Sequence, residues 1–119
     1  MTGLMILKQA YSLLGAADKA AKASGDEDGL LALNQIYSEM WQREHMVPFT
    51  PLENIRETIS LPCRFMPALA YGTAMLLCLN EEESGPYTRL QERYERAATH
   101  AGGCMDVRRD VLFSGGKSV

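Results

Sequence analysis

The 119-residue sequence is poor in the residues that build metal, redox and disulfide sites. It contains three cysteines and two histidines. Cys63, Cys78 and Cys104 show no Cys-x-x-Cys spacing, and an odd number cannot all pair within one chain. Such cysteines are typical of proteins in a reduced, intracellular setting, where the thiol side chains pack as small apolar residues. The histidines have neither zinc spacing nor the Glu-x-x-His pairs of a di-iron bundle. We therefore expect no metal and no cofactor.

The chain also lacks an excess of positive charge and a long apolar run. Its formal net charge is −3, whereas proteins that bind nucleic acid through phosphates present a basic face. The longest apolar run, residues 66–79, is interrupted by Gly72 and Thr73 and is shorter than the roughly 20 residues of a membrane span. The first residues lack the basic start and cleavage site of a signal peptide. These absences favour a soluble protein, of the cytoplasm or of a virion, without membrane contact.

Two short motifs are similar to functional sequences but are incomplete. The GGKS at residues 115–118 has Val111 where a phosphate-binding loop needs glycine, and no helix follows it. His100 and Cys104 are four residues apart, but two glycines separate them and no third group orients them. We therefore predict that the protein is not an enzyme and has no catalytic residues. A thiol-dependent enzyme that uses His100 and Cys104 is the third-ranked alternative.

Apolar residues at helical spacing predict an all-α fold, a small bundle of about four helices. The predicted helices span residues 2–14, residues 29–44, a segment that ends at residue 79, and residues 86–101. Asp26 or Asp28 can cap the second helix. Pro62 can open the third helix, but Pro67 then requires either a start near Phe65 or a kink. The connector over residues 16–29 can continue helically through its AADKAAKAS segment.

The third predicted helix is apolar on most of its faces, which is typical of a central helix surrounded by neighbours. Its small residues would let another helix approach closely: Ala68, Ala70, Gly72 and Ala74. In the second helix, Tyr37, Met40 and Trp41 lie at helical spacing and are predicted to belong to the core.

Two stretches of the chain do not fit regular helices. Residues 45–61 contain Pro48 and Pro51, which disfavour helix, and predict an ordered crossover that can hold a short β-hairpin. Gly102 and Gly103 predict the end of the last helix. We therefore divide the chain into a helical bundle domain, residues 1–103, and an extended C-terminal tail, residues 104–119.

Two candidate binding surfaces follow from this division. The tail carries charged and apolar residues that can dock on another protein chain or pack back onto the bundle: Val107, Arg108, Arg109, Val111, Leu112 and Phe113. An acidic run follows the third helix: Glu81, Glu82 and Glu83. A solvated turn is the ordinary interpretation of this run. The functional alternative is a partner surface or a channel lining that repels DNA.

Several stretches together resemble the head–tail connector (adaptor, or head-completion) proteins of tailed bacteriophages. They are LKQAYSLLGA, LLALNQIYSEMW, the segment FTPLENIRETISLPCRFMPALAYGTAMLLCLNEE and YTRLQERYERA. The family's features fall on residues 13–15, on residues 32–41 ending in Trp41, on Leu61 and Pro62, on residues 68–71 and on residues 94–97. The resemblance covers most of the chain, although Pro67 and Gly72 interrupt a helix that we expect to be richer in alanine.

The resemblance implies a structural protein that is added beneath the portal ring after DNA packaging. Copies of the chain, typically twelve, would form a ring that continues the DNA channel without binding DNA specifically. The ring would present an attachment surface to tail or stopper proteins at the head–tail junction of the virion, after synthesis in the host cytoplasm. The C-terminal tail would engage the portal or a neighbouring subunit. The alternative is a small intracellular helical regulator or interaction module that dimerises through the third helix.

Overall fold

The fold is mostly helical in the part of the chain that the structure describes, with a non-helical crossover before the fourth helix. The computed structural model describes residues 1–44, 48–80 and 85–113, with side-chain surroundings given for all of these except residues 80, 85 and 102–113. Five helices lie in these ranges: α1 (Gly3–Leu13), α2 (Ala17–Ala21), α3 (Glu27–Glu44), α4 (Met66–Asn80) and α5 (Gly85–Phe113). The all-α bundle is thus confirmed, with the short α2 in addition to the four predicted helices.

The helix ends follow local capping rules. The Thr2 hydroxyl accepts a hydrogen bond from the Met5 amide at 3.3 Å and opens α1. Gly15, with φ of 71°, turns the chain after α1, a conformation that glycine adopts without strain. Of the two candidate caps for α3, Asp26 is the one used, because its carboxylate accepts from the Gly29 amide at 3.0 Å.

Helix α4 is the centre of the bundle, as its apolar composition predicts. It packs against α1, α3 and α5, and its small residues Ala68, Ala70 and Ala74 are buried. Pro67 is the second residue of the helix, after a 3-10 turn at Cys63–Phe65. Its missing N–H therefore falls in the first turn, where the helix needs no donor. The start near Phe65 is confirmed, and Pro67 lies too early in the helix to interrupt its hydrogen-bond ladder.

Residues 48–65 form a crossover that is ordered without being a hairpin. The described residues contain no strand, only an isolated antiparallel bridge between Thr2 and Thr58. The predicted possibility of a short β-hairpin is therefore not realised in this part of the chain. The crossover instead contributes apolar side chains to the core: Leu52, Ile55, Ile59 and Leu61.

Helix α5 is longer than the sequence indicates. Gly102 and Gly103, where we predict its end, lie within it, and helical backbone continues to Phe113. The segment 104–113, predicted to be extended, is thus helical in its backbone. The glycines lower helix propensity by about 1 kcal/mol each without ending the helix. Residues 114–119 lie outside the described residues.

Candidate interaction surfaces

Polar side chains hold the crossover against the helices. The Asn34 side chain on α3 makes two bonds to one residue, donating to the Leu52 carbonyl at 3.0 Å and accepting from the Leu52 amide at 2.8 Å. The Ser60 amide donates to the Tyr37 hydroxyl at 2.9 Å. Asn34 therefore takes the place of a neighbouring strand, since it satisfies both backbone groups of a buried residue.

The start of the chain binds the same crossover by main-chain bonds. The Gly3 amide donates to the Glu57 carbonyl at 3.0 Å, and the Ile59 amide donates to the Met1 carbonyl at 2.9 Å. Gly3 is needed for this approach, because a β-carbon there would lie 2.8 Å from a Leu52 methyl group and 2.9 Å from the Ile55 carbonyl oxygen. The crossover is thereby held from both sides, by α3 and by the residues that lead into α1.

Aromatic residues fill the junction between α3 and the crossover. Tyr37 packs edge-on against Trp41 and Phe49, with ring centroids 6.1 and 5.0 Å apart. Tyr37 and Met40 are buried, as predicted. Trp41 is only partly buried at the edge of this cluster, so the prediction of a core position holds in a weaker form for this residue.

Arg64 joins three elements near the last described core residue of α5. One guanidinium nitrogen of Arg64 donates to both carboxylate oxygens of Glu44 at 2.9 and 3.0 Å, and its Nε donates to the Ala101 carbonyl at 3.0 Å. The guanidinium also lies 5.0 Å from the centre of the Phe65 ring. The end of α3 and the middle of α5 are thus fixed to the residues that precede α4.

A second polar contact joins α3 to α5. The Tyr94 hydroxyl donates to the Glu39 carboxylate at 3.1 Å. Burial raises the pKa of Tyr94 to about 12, and the charge of Glu39 and its hydrogen bond to the phenol contribute to the same shift. The phenol therefore stays protonated at neutral pH and acts as a structural donor.

Both predicted binding surfaces lie beyond the side chains that the structure describes. Glu81, Glu82 and Glu83 are outside the described residues. The predicted docking residues of the tail fall on the backbone of α5, but their side chains are not described: Val107, Arg108, Arg109, Val111, Leu112 and Phe113. The binding roles of both surfaces therefore stay predictions. Of the pair considered for thiol chemistry, His100 is exposed on α5 and the Cys104 side chain is among those not described.

An apolar groove lies between α1 and α4, which we call the α1/α4 groove. It encloses about 430 Å³ and is lined by Met1, Gln9, Ser12, Leu13, Met66, Pro67, Ala70 and Tyr71. Leu13 is 44% exposed at its edge. Met5, 51% exposed, lies one helical turn before Gln9. A partner with an apolar surface can therefore bury Leu13 and Met5 when it binds at this groove.

A second apolar surface lies between α3 and α4, which we call the α3/α4 patch. It forms a hollow of about 250 Å³ lined by Asp28, Leu31, Ala32, Gln35, Leu76 and Leu79. Leu31 is 68% exposed and Leu79 55% exposed. The exposure of these two leucines was not predicted from the sequence. The available signal for Leu31 is that it lies outside the apolar stripe of α3, whereas nothing in the uniformly apolar α4 distinguishes Leu79.

The described residues show surfaces rather than a cluster of reactive groups. Among them, no three His, Cys, Asp or Glu side chains converge to hold a metal ion. None of the helices in the described part of the chain combines the length and apolar character needed to cross a membrane.

Comparison of the chain with protein-family models, with curated proteins and with solved structures finds no match in any of the three. The all-α fold class rests on the structure alone. Because no relative was found, membership of the connector family stays a prediction from the sequence.

Proposed function

We propose that this chain is a structural head–tail connector protein of a tailed bacteriophage. It would assemble as a ring beneath the portal after DNA packaging and provide the attachment surface for tail or stopper proteins. The observation that carries the proposal is the resemblance itself, whose segments follow the order of α1, α3, the crossover, α4 and α5. The residues that carry it have packing roles in the bundle, as expected of a protein that acts by shape and contact.

The exposed apolar side chains support an assembly role. Large apolar residues are more than two-fifths exposed on α1, on α3, on α4 and at the start of the chain: Met1, Met5, Leu13, Leu31 and Leu79. Several of them cluster in the α1/α4 groove and the α3/α4 patch rather than being scattered singly. Clustered exposed apolar surface is typical of protein–protein contact sites.

The negative charge of the chain suits a protein that lines a channel through which DNA moves. The net charge is −3, and the acidic run Glu81, Glu82 and Glu83 would line the channel or face a basic patch on the partner. An acidic wall repels phosphates and so avoids retaining the DNA. Replacing the three glutamates with glutamine is expected to leave ring assembly intact while increasing DNA retention.

The alternative is a dimeric regulator that associates through α4. In the structure, less of α4 is accessible to a partner than the sequence suggests. Most of α4 is buried by α1, α3 and α5. The part of α4 that lines the two apolar surfaces is limited to its first residues and its last turn: Met66, Pro67, Ala70 and Tyr71 at the groove, and Leu76 and Leu79 at the patch. A two-fold pairing across one of these surfaces would give a closed dimer without a larger assembly.

The test is electron microscopy of the protein mixed with the portal ring of the same phage, with each component alone as a control. We expect an additional layer beneath the portal. Removal of residues 104–119 should abolish the layer if the tail docks, whereas removal of residues 114–119 alone is the matched control and should preserve it. A stable dimer that adds no layer would refute the connector proposal and favour the regulator.

A further inference from the structure

A line of basic side chains runs along the solvent-facing side of α5, and we call it the arginine stripe. Its four members are all exposed: Arg89, Arg93, Arg96 and His100. They are four, three and four residues apart, and at roughly 3.6 residues per turn each step returns to nearly the same side of the helix. With a rise of about 1.5 Å per residue, the stripe is a narrow basic face about 16 Å long.

The stability of α5 does not account for these arginines. None of the three forms an ion pair with a described side chain. Glu92 lies three residues after Arg89 and four before Arg96, which are the spacings at which opposite charges on a helix can pair. Arg93 lies four residues after Arg89 and three before Arg96, and like charges at these spacings destabilise a helix. The stripe therefore presents positive charge to solvent at a cost to the helix that carries it.

The charges beside the stripe favour carboxylates over phosphates as its ligands. An arginine guanidinium can bind either group through two parallel hydrogen bonds. Glu92 and Glu95 are also exposed on α5, about 40° and 100° around the helix from Arg96. A nucleic acid is negative along its whole backbone, so its phosphates would meet these glutamates as well. The net charge of −3 also repels a polyanion. A peptide helix, by contrast, can offer carboxylates to the arginines and neutral or basic residues to the glutamates.

We propose that the arginine stripe binds an acidic helix of another protein, whose carboxylates repeat at the same spacing as the cations of the stripe. Each guanidinium would donate to one carboxylate, and the His100 ring would add a polar contact at one end. The spacing of four, three and four residues is the same in both directions, so the partner helix can bind parallel or antiparallel to α5. Binding would also offset the repulsion among the arginines. This inference does not depend on the proposed function, since it concerns only the exposed face of α5.

The test is an NMR titration of the isotope-labelled protein with a defined acidic peptide. The probe is an alanine-based helical peptide whose glutamates are spaced four, three and four residues apart. The control peptide has the same composition, with its glutamates spaced two, five and two residues apart, so that they lie on two faces. The matched peptide should shift the amide signals of residues 89–100 and the Nε–H signals of the arginines, and should bind several-fold more tightly than the control. Added salt should weaken this binding, because the charges are exposed.

The variant Arg93→Glu separates binding from stability. It gives opposite-charge neighbours to Arg89 and Arg96, so the urea midpoint of unfolding should be unchanged or higher. Binding of the matched peptide should weaken by about tenfold or more, since a carboxylate would then face a carboxylate. The matched control is Arg56→Glu, which makes the same charge change at an exposed residue of the crossover and should leave peptide binding within about twofold of the wild type. Replacing one central glutamate of the peptide with lysine should restore binding to Arg93→Glu.

Each contrary outcome would overturn the proposal. Equal binding of the two peptides would show that the spacing is not recognised, and equal weakening by Arg93→Glu and Arg56→Glu would show that only net charge matters. A wild type whose α5 signals do not shift at millimolar peptide would exclude the site. A lower urea midpoint for Arg93→Glu would assign the stripe to the stability of the fold. Duplex DNA that shifts the same signals at lower concentration than the matched peptide would assign the stripe to phosphates instead of carboxylates.

Discussion

Gly72 is a position at which the bundle has no room for an added methyl group unless a neighbour moves. A β-carbon there would lie 2.8 Å from Ile36 Cγ2 and 2.9 Å from two ring carbons of Tyr94, against an optimal carbon–carbon separation of about 3.5–4.0 Å. Ile36 is completely buried, and the Tyr94 ring is held by its hydrogen bond to Glu39. Neither neighbour can move away without loss of packing or of that bond.

The expected change in unfolding free energy on Gly72→Ala is the difference between a gain in helix propensity and a cost of overpacking the core. Alanine improves helix propensity by about 1 kcal/mol. Insertion of a methyl group into a well-packed core costs about 1–3 kcal/mol, and three contacts this short place Gly72 in the upper half of that range. The variant should therefore lose about 1–2 kcal/mol of unfolding free energy. With a urea m-value of about 2 kcal/mol per molar, the middle of the usual range for small proteins, the unfolding midpoint should decrease by roughly 0.5–1 M.

Urea unfolding followed by circular dichroism provides the measurement, with Gly25→Ala as the matched control. A β-carbon at Gly25 would have nothing within 4 Å, so that variant should be unchanged or slightly more stable. Ile36→Ala combined with Gly72→Ala should cost less than the sum of the single changes, because the new methyl group partly fills the space that Ile36 vacates. A Gly72→Ala variant as stable as the wild type would refute the close-packing argument.

Two substitutions and one titration test the buried polar groups. Asn34→Ala should cost about 2–3 kcal/mol, because it leaves the amide and the carbonyl of Leu52 unpaired; chemical denaturation measures the loss. Thr73 is fully buried, and its hydroxyl has no hydrogen-bond partner among the described residues, so Thr73→Val should be neutral or stabilising by about 1 kcal/mol in the same assay. The pKa of Tyr94, raised from 10.0 to about 12, should appear as a late phenolate transition in an absorbance titration. Because its folded-state pKa is the higher one, the protonated phenol contributes stability that is complete below pH 10 and is lost as the pH increases through about 12.

Each of these expectations has a contrary result. A loss below about 0.5 kcal/mol for Asn34→Ala would mean that water replaces the amide. A Thr73→Val variant destabilised by more than about 1 kcal/mol would indicate that the hydroxyl has a partner after all. For Tyr94, the control is Tyr94→Phe, which should remove the late transition and the loss of stability above pH 10. A spectrum without a late transition in the wild type would contradict the buried contact with Glu39.

The helices were predictable because their signals are local. The cap at Asp26, the glycine turn at Gly15 and the apolar stripe of α3 all depend on residues within a few positions of one another. The central place of α4 followed from its uniformly apolar composition, and its small residues predicted a close approach that Gly72 shows. The end of α5 was missed because two glycines only weaken a helix, and whether it continues depends on the energetics of the entire helix.

The crossover and the surfaces were not predictable in the same way. Asn34 is an ordinary polar residue of α3 until Leu52 is placed beside it, and no local pattern indicates that pairing. A helix that is apolar all round does not reveal which of its residues stay exposed, so Leu79 could not be distinguished from its buried neighbours. The two exposed surfaces therefore emerge only when α1, α3 and α4 are assembled.

The attachment of the crossover has a consequence for how the protein opens. Its bonds to Asn34 and Tyr37 span 18 and 23 positions, and its bonds to Met1 and Gly3 span still more of the chain. Contacts of this length incur a larger loop-closure entropy than the local contacts of the helices. The amides of residues 52, 59 and 60 would therefore exchange their hydrogens in a single opening event, at a lower free energy than global unfolding. The protein would then contain two cooperative units, the helical core and the crossover, which would detach from that core as a whole.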